Sequence, residues 1–241
     1  MIAEAGISMK KDLLRHLAKY LDFSCVQAQN TAAEIEEMVL AAKRYEPAAV
    51  FALPCYTPYL AKQMREIPSV KLGGVVGFPS GAQSTTVKQL EAEELLNLGC
   101  QELDMVLPIG KLKDRDFSYV EQDIHAVVAL AGKIPVKVIV EAGYLSEKEL
   151  ILACETAVQA GASYVKTGTG WSGIPSTVEM VRCMKQAVGD RAKVKAAGGI
   201  RTLETVSQMY EAGCERFGIS TSSAVRILEE AQRMLQIESV K

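Results

Sequence analysis

The feature that most constrains the fold of this chain is a strict alternation of short apolar runs with longer amphipathic segments. The apolar runs are rich in valine, isoleucine and phenylalanine, and most are bounded by Gly or Pro, which is typical of buried β-strands. They are LDFSC (21–25), AAVFALP (48–54), VKLGGVVGFP (70–79), ELDMVLP (102–108), PVKVIVE (135–141), ASYVKTG (162–168), AKVKAAG (192–198) and ERFGIS (215–220). The pattern predicts eight strands.

The segments between these runs carry helix signals at their ends. Apolar residues at helical spacing, capping-box patterns and terminal glycines predict four helices within Thr31–Ala42, Ser84–Leu98, Ser146–Ala160 and Thr202–Ala212. Three times a glycine ends a helical segment and the next strand follows at once, in LGCQELD, AGASYVK and AGCERFG. This recurrence is how helices return the chain to a parallel sheet.

Strict βα alternation is compatible with an open doubly wound sheet or with a closed barrel. Eight repeats in 241 residues, without a G-x-G-x-x-G turn after the first strand, favour the barrel. Neither a linker nor a low-complexity segment interrupts the pattern. We therefore predict one α/β domain over residues 1–241, a (β/α)8 TIM barrel, with residues 1–20 as an N-terminal helical extension.

Charge and composition argue against several classes of protein. A net charge of −2 and a pI near 5.9 do not suit a partner such as nucleic acid or an anionic membrane surface. Glu4 precedes the first lysines, no apolar core resembling that of a secretory signal follows, and no apolar stretch is long enough to span a bilayer. Six scattered cysteines without a C-x-x-C pair indicate reduced thiols and a cytoplasmic location, and His16 and His125 do not suggest a metal site.

Charged residues lie inside several of the predicted strands, although barrel strands are buried on both faces. The alternation of side chains along a strand pairs them on common faces: Glu102 with Asp104, Lys137 with Glu141, and Lys193 with Lys195. Internal salt bridges, or lysines that extend outward between helices, would explain any one of them. As a set they also suit a reactive site.

Lys166 and Lys195 end two adjacent strands, each shortly before a Gly-rich turn, at the barrel face where active sites lie. A lysine ammonium becomes a nucleophile only when it loses its proton, and desolvation and a nearby second cation both favour the neutral amine. One lysine would then attack a carbonyl while the other keeps it neutral. A carboxylate from another strand would move protons.

Three Gly-rich turns follow the last three strands: TGTGW (167–171), AGGIRT (197–202) and GISTSS (218–223). Ordinary βα turns can have this composition, but exposed backbone N–H groups and helix N-termini also suit a phosphate. We therefore predict a phosphate-bearing small molecule as the partner. Trp171 could form a wall of the mouth or simply pack, and Cys55, without a histidine partner in the sequence, is interpreted as a buried structural thiol.

Four segments together resemble the 2-deoxyribose-5-phosphate aldolases, a family of class I, Schiff-base enzymes. VKTGTG is similar to the Schiff-base strand of the family, VKAAGGIRT to its second-lysine strand and ELDMVLPIGKLK to its acidic strand. VVGFPSGAQSTTVKQLEAE resembles a fourth family segment. The likeness keeps one register from about Leu21 to Ala224.

The resemblance implies an enzyme of deoxyribose phosphate catabolism that needs no cofactor or metal. It would cleave 2-deoxy-D-ribose 5-phosphate reversibly to D-glyceraldehyde 3-phosphate and acetaldehyde. The resemblance implies that Lys166 forms the Schiff base, that Lys195 keeps the amine neutral and that Asp104 relays protons. The residues that it implies for substrate and phosphate binding are Gly170, Gly198, Gly199, Gly218, Ser220, Thr221, Asp22 and Ser24.

The chain departs from the family pattern at three places. Where the family usually has D-H-T-L-L-K-P, residues 22–28 are DFSCVQA, so that Asp22 and a hydroxyl at Ser24 are retained but the following loop is not. Leu53 stands where asparagine is common, and Gly168 where serine is usual. These departures leave the chemistry in place and put the identity of the aldehyde in doubt.

Two alternatives stay open at this stage. One is another Schiff-base aldolase or transaldolase of the same barrel that acts on a different phosphosugar, and the other is a non-catalytic phosphosugar-binding barrel. Retention of both lysines and the acid argues against the second, because binding alone needs no neutral amine. A class II aldolase is disfavoured by the lack of clustered histidines. The sequence is also compatible with a homo-oligomer.

Overall fold

Eight parallel strands form a closed barrel in the computed structural model, which describes residues 11–239. Each strand pairs with the next, and β8 pairs with β1 to close the sheet. The strands are β1 (Leu21–Cys25), β2 (Ala49–Ala52), β3 (Lys71–Val76), β4 (Glu102–Val106), β5 (Val136–Ile139), β6 (Tyr164–Lys166), β7 (Lys193–Ala197) and β8 (Arg216–Ser220). Each lies within one of the predicted apolar runs, and the predicted (β/α)8 barrel is confirmed.

Helices follow every strand and surround the barrel. They are α1 (Lys11–Arg15), α2 (Ala32–Tyr45), α3 (Thr57–Met64), α4 (Thr85–Asn97), α5 (Ile109–Lys113), α6 (Phe117–Ala131), α7 (Glu147–Gln159), α8 (Val178–Val188), α9 (Leu203–Glu211) and α10 (Thr221–Ser239). All four predicted helices are present. In the described part of the chain, no helix has the length and apolar character needed to cross a membrane.

The segment before β1 is helical where the structure describes it. It contains α1 and a short 3-10 helix over Leu17–Tyr20. Residues 1–10 of the predicted N-terminal extension lie outside the described residues.

The capping signals act as the sequence predicts. At the start of α7, the Ser146 backbone N–H donates to Glu149 Oε2 over 2.8 Å, and Ser146 Oγ accepts from the Glu149 N–H. The Thr31 N–H donates to Glu34 in the same way at the start of α2. These bonds satisfy donors that the first turn of a helix leaves without intrahelical partners.

Apolar residues fill the space between barrel and helices, whereas the space inside the barrel is largely charged. The buried apolar residues within the barrel form a small cluster of Ala49, Phe51 and Val75. Branched apolar side chains usually fill this space in (β/α)8 barrels. Here lysines, an arginine and carboxylates take much of it, and they form the site described below.

A buried ion pair outside the barrel involves Lys88 of the segment VVGFPSGAQSTTVKQLEAE, which resembles a family segment. Lys88 Nζ, on α4, lies 2.6 Å from Asp123 Oδ2, on α6, and donates to the Val106 carbonyl over 3.0 Å; both charged side chains are fully buried. Gly77 has a left-handed backbone, and a Cβ there would lie 2.8 Å from Lys88 Cε. The Glu91 carboxylate accepts from the Gly77 N–H. This packing fixes the turn after β3.

One prediction about the strands is wrong. β5 ends at Ile139, and Glu141 has a left-handed backbone with φ 52° and ψ 58°. The Ala142 N–H donates to the Thr167 carbonyl, so that the chain turns towards the end of β6. Because the chain leaves the extended conformation here, Glu141 does not share a face with Lys137.

Replacing Lys88 with methionine should destabilise the fold strongly. The change leaves the Asp123 carboxylate buried without its cation, which we expect to lower the free energy of unfolding by about 3–5 kcal/mol. Lys43→Met is the matched control: Lys43 Nζ lies 2.8 Å from Glu66 Oε2, but both side chains are exposed, so little change is expected. Urea denaturation of both variants measures the difference, and equal losses would contradict the role given to burial.

Candidate active site

A cavity of about 310 Å³ opens at the C-terminal ends of the strands. Among its lining residues are all of the predicted site residues except Thr221: Asp22, Ser24, Asp104, Lys166, Gly170, Lys195, Gly198, Gly199, Gly218 and Ser220. They come from five of the eight strands or the turns that follow them. The barrel therefore brings together side chains and glycines that lie far apart in the chain.

At the base of the cavity, one carboxylate binds three lysines. Asp104 Oδ1 accepts from Lys137 Nζ over 3.0 Å. Asp104 Oδ2 accepts from Lys166 Nζ over 2.8 Å and from Lys195 Nζ over 2.6 Å. The lysines come from β5, β6 and β7, and Lys166 and Lys195 occupy paired positions on adjacent strands. The structure thus places both predicted lysines on the same oxygen of the predicted acid.

Two further carboxylates complete the charged interior. Asp22 Oδ2 lies 2.6 Å from Lys195 Nζ, and Asp22 Oδ1 accepts from Arg216 Nε over 2.7 Å. Glu102 Oε2 accepts from Lys137 Nζ over 2.5 Å and from Arg216 Nη2 over 2.9 Å. Lys137 Nζ also lies 3.7 Å from Asp22 Oδ2, so Asp22 lies against three cations inside the barrel, although it also lines the cavity.

The charges of this interior do not balance when all of its groups are ionised. Inside the barrel the buried acids are Asp22, Glu102 and Asp104, and the buried cations are Lys137, Lys166, Lys195 and Arg216, an excess of one positive charge. Because crowded buried cations are costly, this excess acts to lower the pKa of Lys195.

The pKa values of the central groups follow from this arrangement. Burial lowers the pKa of Lys195 to about 8, against the opposing effect of Asp104 and Asp22 and with help from Lys137 and Lys166. Burial acts to raise the pKa of Asp104, but the three lysines hold it well below its usual value. At neutral pH the site therefore contains an ionised acid beside a lysine that is close to losing its proton.

Lys166 is the most accessible of the three lysines on Asp104. It is 7% exposed, against 1% for Lys195 and 0% for Lys137, and it lines the cavity. A ligand that enters from the mouth can therefore reach the Lys166 amine before the other two. This order of access is what a nucleophile with a buried cationic neighbour requires.

The turns after β6 and β7 meet through glycines. Gly198 has a φ of +102°, and a Cβ there would lie 3.4 Å from the Cα atom of Gly170. A Cβ at Gly199, which has a φ of +78°, would lie 2.7 Å from Pro175 Cβ. The close approach leaves backbone atoms to line this side of the cavity. α10 begins at Thr221, directly after β8, so a helix N-terminus faces the same region.

Sequence reasoning was incomplete on this side of the site. Thr221 Oγ1 lies 3.8 Å from Cys25 Sγ, and Thr221 does not line the cavity, whereas Ser223 does. Arg201 also lines the cavity. Both missed residues lie inside the Gly-rich turns that the sequence singled out, so a search of those turns for anion-binding side chains would have found them.

Two other expectations concern thiol and metal chemistry. Cys55 is exposed, so the interpretation of a buried structural thiol is wrong; it lies in the turn between β2 and α3. Among residues 11–239, no group of three or more His, Cys, Asp and Glu side chains is arranged to hold a metal ion.

Comparison with known proteins places this barrel in a family. Residues 12–222 match the family model described as DeoC/LacD family aldolase. The chain belongs to the DeoC/LacD aldolases. Curated relatives named deoxyribose-phosphate aldolase include that of Thermococcus gammatolerans, 46% identical with 90% of this chain and 96% of the relative covered. Another, from Klebsiella pneumoniae, is 39% identical with 90% and 88% covered.

Solved structures of aldolases share the fold. The aldolase QR15 has a TM-score of 0.85 and 36% identity, with 91% of this chain and 97% of that chain covered. The tetrameric deoxyribose phosphate aldolase from Aeropyrum pernix has a TM-score of 0.83 and 28% identity, with 94% and 99% covered. The family resemblance stated from the sequence is confirmed, and the chain is an aldolase, which is a lyase.

Gly168, where this DeoC/LacD aldolase departs from the usual serine, has a structural explanation. The Glu141 carboxylate accepts from the backbone N–H and from Oγ1 of Thr169. A Cβ at Gly168 would lie 2.7 Å from Glu141 Oε1. Glu141 thus anchors the turn after Lys166, and glycine leaves room for its carboxylate.

Gly168→Ala should weaken this anchor, because the new Cβ displaces the Glu141 carboxylate from Thr169. Loss of these hydrogen bonds predicts a decrease of about 1–3 kcal/mol in the free energy of unfolding, together with lower aldolase activity. Gly110→Ala is the control, because a Cβ there would have no atom within 4 Å. Urea denaturation and an aldolase assay test both variants, and an unchanged Gly168→Ala variant would contradict the anchor.

Proposed function

We propose that this aldolase cleaves 2-deoxy-D-ribose 5-phosphate reversibly to D-glyceraldehyde 3-phosphate and acetaldehyde, through a Schiff base on Lys166. The observation that carries the proposal is the contact of Lys166 and Lys195 with one oxygen of Asp104 at the base of an open cavity. The names of the curated relatives support the same substrate.

The reaction begins when the neutral Lys166 amine attacks the aldehyde carbon of the open-chain sugar. The resulting carbinolamine loses water to give an iminium ion. The C3 hydroxyl then loses its proton and the C2–C3 bond breaks, so that the C3 fragment leaves as D-glyceraldehyde 3-phosphate. The electron pair of the broken bond moves into the iminium to form an enamine. Protonation at C2 and hydrolysis of the imine release acetaldehyde and the free amine. The imine is the electron sink, so the proposal requires neither metal nor cofactor.

Asp104 and Lys195 are proposed to handle the protons of these steps. Asp104 is ionised and touches both lysines, so it can accept a proton near Lys166 directly or through water. The lowered pKa of Lys195, about 8, lets it donate or accept a proton near neutral pH. Asp22 contacts Lys195 and Arg216, so we assign it to this electrostatic network. Ser24 Oγ donates to the Ile219 carbonyl at the rim of the cavity.

The phosphate is proposed to bind at the turns after β6, β7 and β8. Gly170, Gly198, Gly199 and Gly218 line this side without side chains, so backbone N–H groups can reach an anion. The N-terminus of α10, together with Ser220, Ser223 and Arg201, adds hydrogen-bond donors and positive charge, and these residues also line the cavity.

A second candidate is the same chemistry on another phosphosugar. The observation that favours it is the end of β2, where Leu53 packs with Val26 against Phe51 and Val75. Leu53 offers no partner to a sugar hydroxyl, and such partners are what reject a wrong analogue. The β1 side of the lining, in contrast, keeps polar groups at Ser24, Gln27 and Asn30.

We also propose that the whole chain acts as one domain in the cytoplasm, as a homo-oligomer, on small-molecule phosphosugars and not on nucleic acid. The net charge of −2 argues against a nucleic-acid partner, and scattered cysteines without a C-x-x-C pair suit a reducing compartment. The solved Aeropyrum pernix relative is a tetramer.

Purified protein should cleave 2-deoxyribose 5-phosphate in a coupled assay and lose most of its kcat/KM with unphosphorylated deoxyribose, because the phosphate contacts are then missing. Acetaldehyde with borohydride should leave a reduced adduct on Lys166, located by peptide mapping. Lys166→Arg, which keeps the charge without a nucleophilic amine, is the control. An adduct on another lysine, or equal rates with both sugars, would contradict the assignment.

Lys195→Leu should lower turnover by a factor of about 100 or more. Removing the second ammonium removes a like charge that opposes protonation of the amine beside Asp104, so the acid limb of the pH–rate profile should move upward by about one unit or more. Lys193→Leu is the matched control, because Lys193 lies two residues earlier on β7 with an exposed side chain. Near-normal turnover with an unshifted limb would show that Lys195 is only structural.

A further inference from the structure

Trp171 joins three turns of the barrel mouth. It follows the turn after β6, and its indole Nε1–H donates to the Val26 carbonyl, after β1, over 2.8 Å. Its ring meets the ring of Phe78, after β3, edge to face, with 6.1 Å between centroids and 88° between planes. We call these two contacts the Trp171 bridge.

The order of the strands shows that the bridge crosses the mouth. β7 and β8 lie between β6 and β1 in one direction, and β5 and β4 lie between β6 and β3 in the other. Turns after adjacent strands touch in any such barrel, but two strands separate these turns in either direction. Trp171 is also 39% exposed, so burial of its ring does not explain its position.

Both ends of the bridge rest on anchored turns. The Trp171 N–H donates to Thr169 Oγ1 over 3.0 Å, and Thr169 is itself bound by Glu141. Phe78 follows Gly77, which packs against Lys88 and donates to Glu91. The bridge therefore links two turns that hydrogen bonds hold in place, those of Trp171 and Phe78, and joins the Val26 turn to them.

The residues that Trp171 contacts line the cavity, whereas Trp171 does not. Val26, Phe51, Val75 and Phe78 are lining residues that belong to one apolar cluster, which we call the apolar wall. Phe51 and Val75 are buried within the barrel, and Val26 and Phe78 extend the wall outward. Trp171 contacts the Val26 carbonyl and the Phe78 ring of the outer pair.

We propose that Trp171 is a positioning residue, which holds Val26 and Phe78 so that the apolar wall orients the carbon chain of the substrate above Lys166. The inference rests on the proposed function. Because Lys166 and Asp104 lie at the base, a two-carbon aldehyde reaches the amine without the outer wall, whereas the five-carbon phosphosugar needs it. Loss of the bridge therefore affects the long substrate and spares imine formation with acetaldehyde.

Two variants of Trp171 separate the parts of the bridge. In Trp171→Ala, kcat/KM for 2-deoxyribose 5-phosphate should fall about tenfold or more, mainly through KM. Trp171→Phe keeps an aromatic ring near Phe78 but loses the N–H to Val26, so it should recover part of this loss. The rate of borohydride-trapped acetaldehyde adduct formation should stay within about twofold of wild type in both. A role limited to global stability would lower both reactions together.

The fluorescence of Trp171 gives an independent readout, because it is the only tryptophan of the chain. Emission should change when 2-deoxyribose 5-phosphate saturates the wild-type protein. It should also change in ligand-free Phe78→Leu, which removes the neighbouring ring.

The outcomes distinguish the bridge from the function on which it rests. A wild-type protein without an acetaldehyde adduct on Lys166 overturns the proposed function and the bridge together. A wild-type protein that cleaves the phosphosugar, with Trp171→Ala equally efficient, overturns the bridge alone. Equal losses in cleavage and in adduct formation also overturn it.

Discussion

Asp104 accepts hydrogen bonds from lysines of three successive strands, and much of the barrel interior depends on this contact. A carboxylate at this depth is tolerated only with cations around it, and the lysines are tolerated only with the carboxylate. The strands must therefore keep the register that brings these groups together. The contact that stabilises these buried charges also holds the Lys166 amine at the base of the cavity, so folding and the proposed chemistry use the same residues.

The two sides of the cavity mouth differ in polarity. Glycines, a helix N-terminus and hydroxyl groups lie at the cavity after β6, β7 and β8, whereas the apolar wall lies on the side of β1, β2 and β3, next to the polar Ser24, Gln27 and Asn30. A ligand with an anionic end and a hydrocarbon portion fits such a division, because each end meets groups of matching polarity. Lys166 lies below both sides, so in the proposed mechanism a ligand held at either side presents its carbonyl to the Lys166 amine.

Much of the fold could be predicted from the sequence because strand and helix signals are local. Apolar runs and capping residues act within a few positions, and β1 to β8 appeared where these runs lie. Lys166 and Lys195 could be singled out because a charge in a buried strand is unusual. Glu141 could not be placed, because its left-handed backbone depends on the turn around it. Lys88 contacts Asp123, 35 positions away, and Trp171 contacts Val26, 145 positions away. Only the folded barrel with its packed helices brings these residues together.

The ion pairs inside the barrel also affect how its stability responds to temperature. The hydration of ions becomes less favourable on heating, so the desolvation penalty of a buried charge falls as temperature rises, while stabilisation by apolar burial levels off. A barrel filled with branched apolar side chains has no buried charges whose desolvation penalty could fall in this way. The network of Asp22, Glu102, Asp104, Lys137, Lys195 and Arg216 is therefore least costly in a hot solvent. Heat should consequently weaken the interior of this barrel less than it weakens an apolar one.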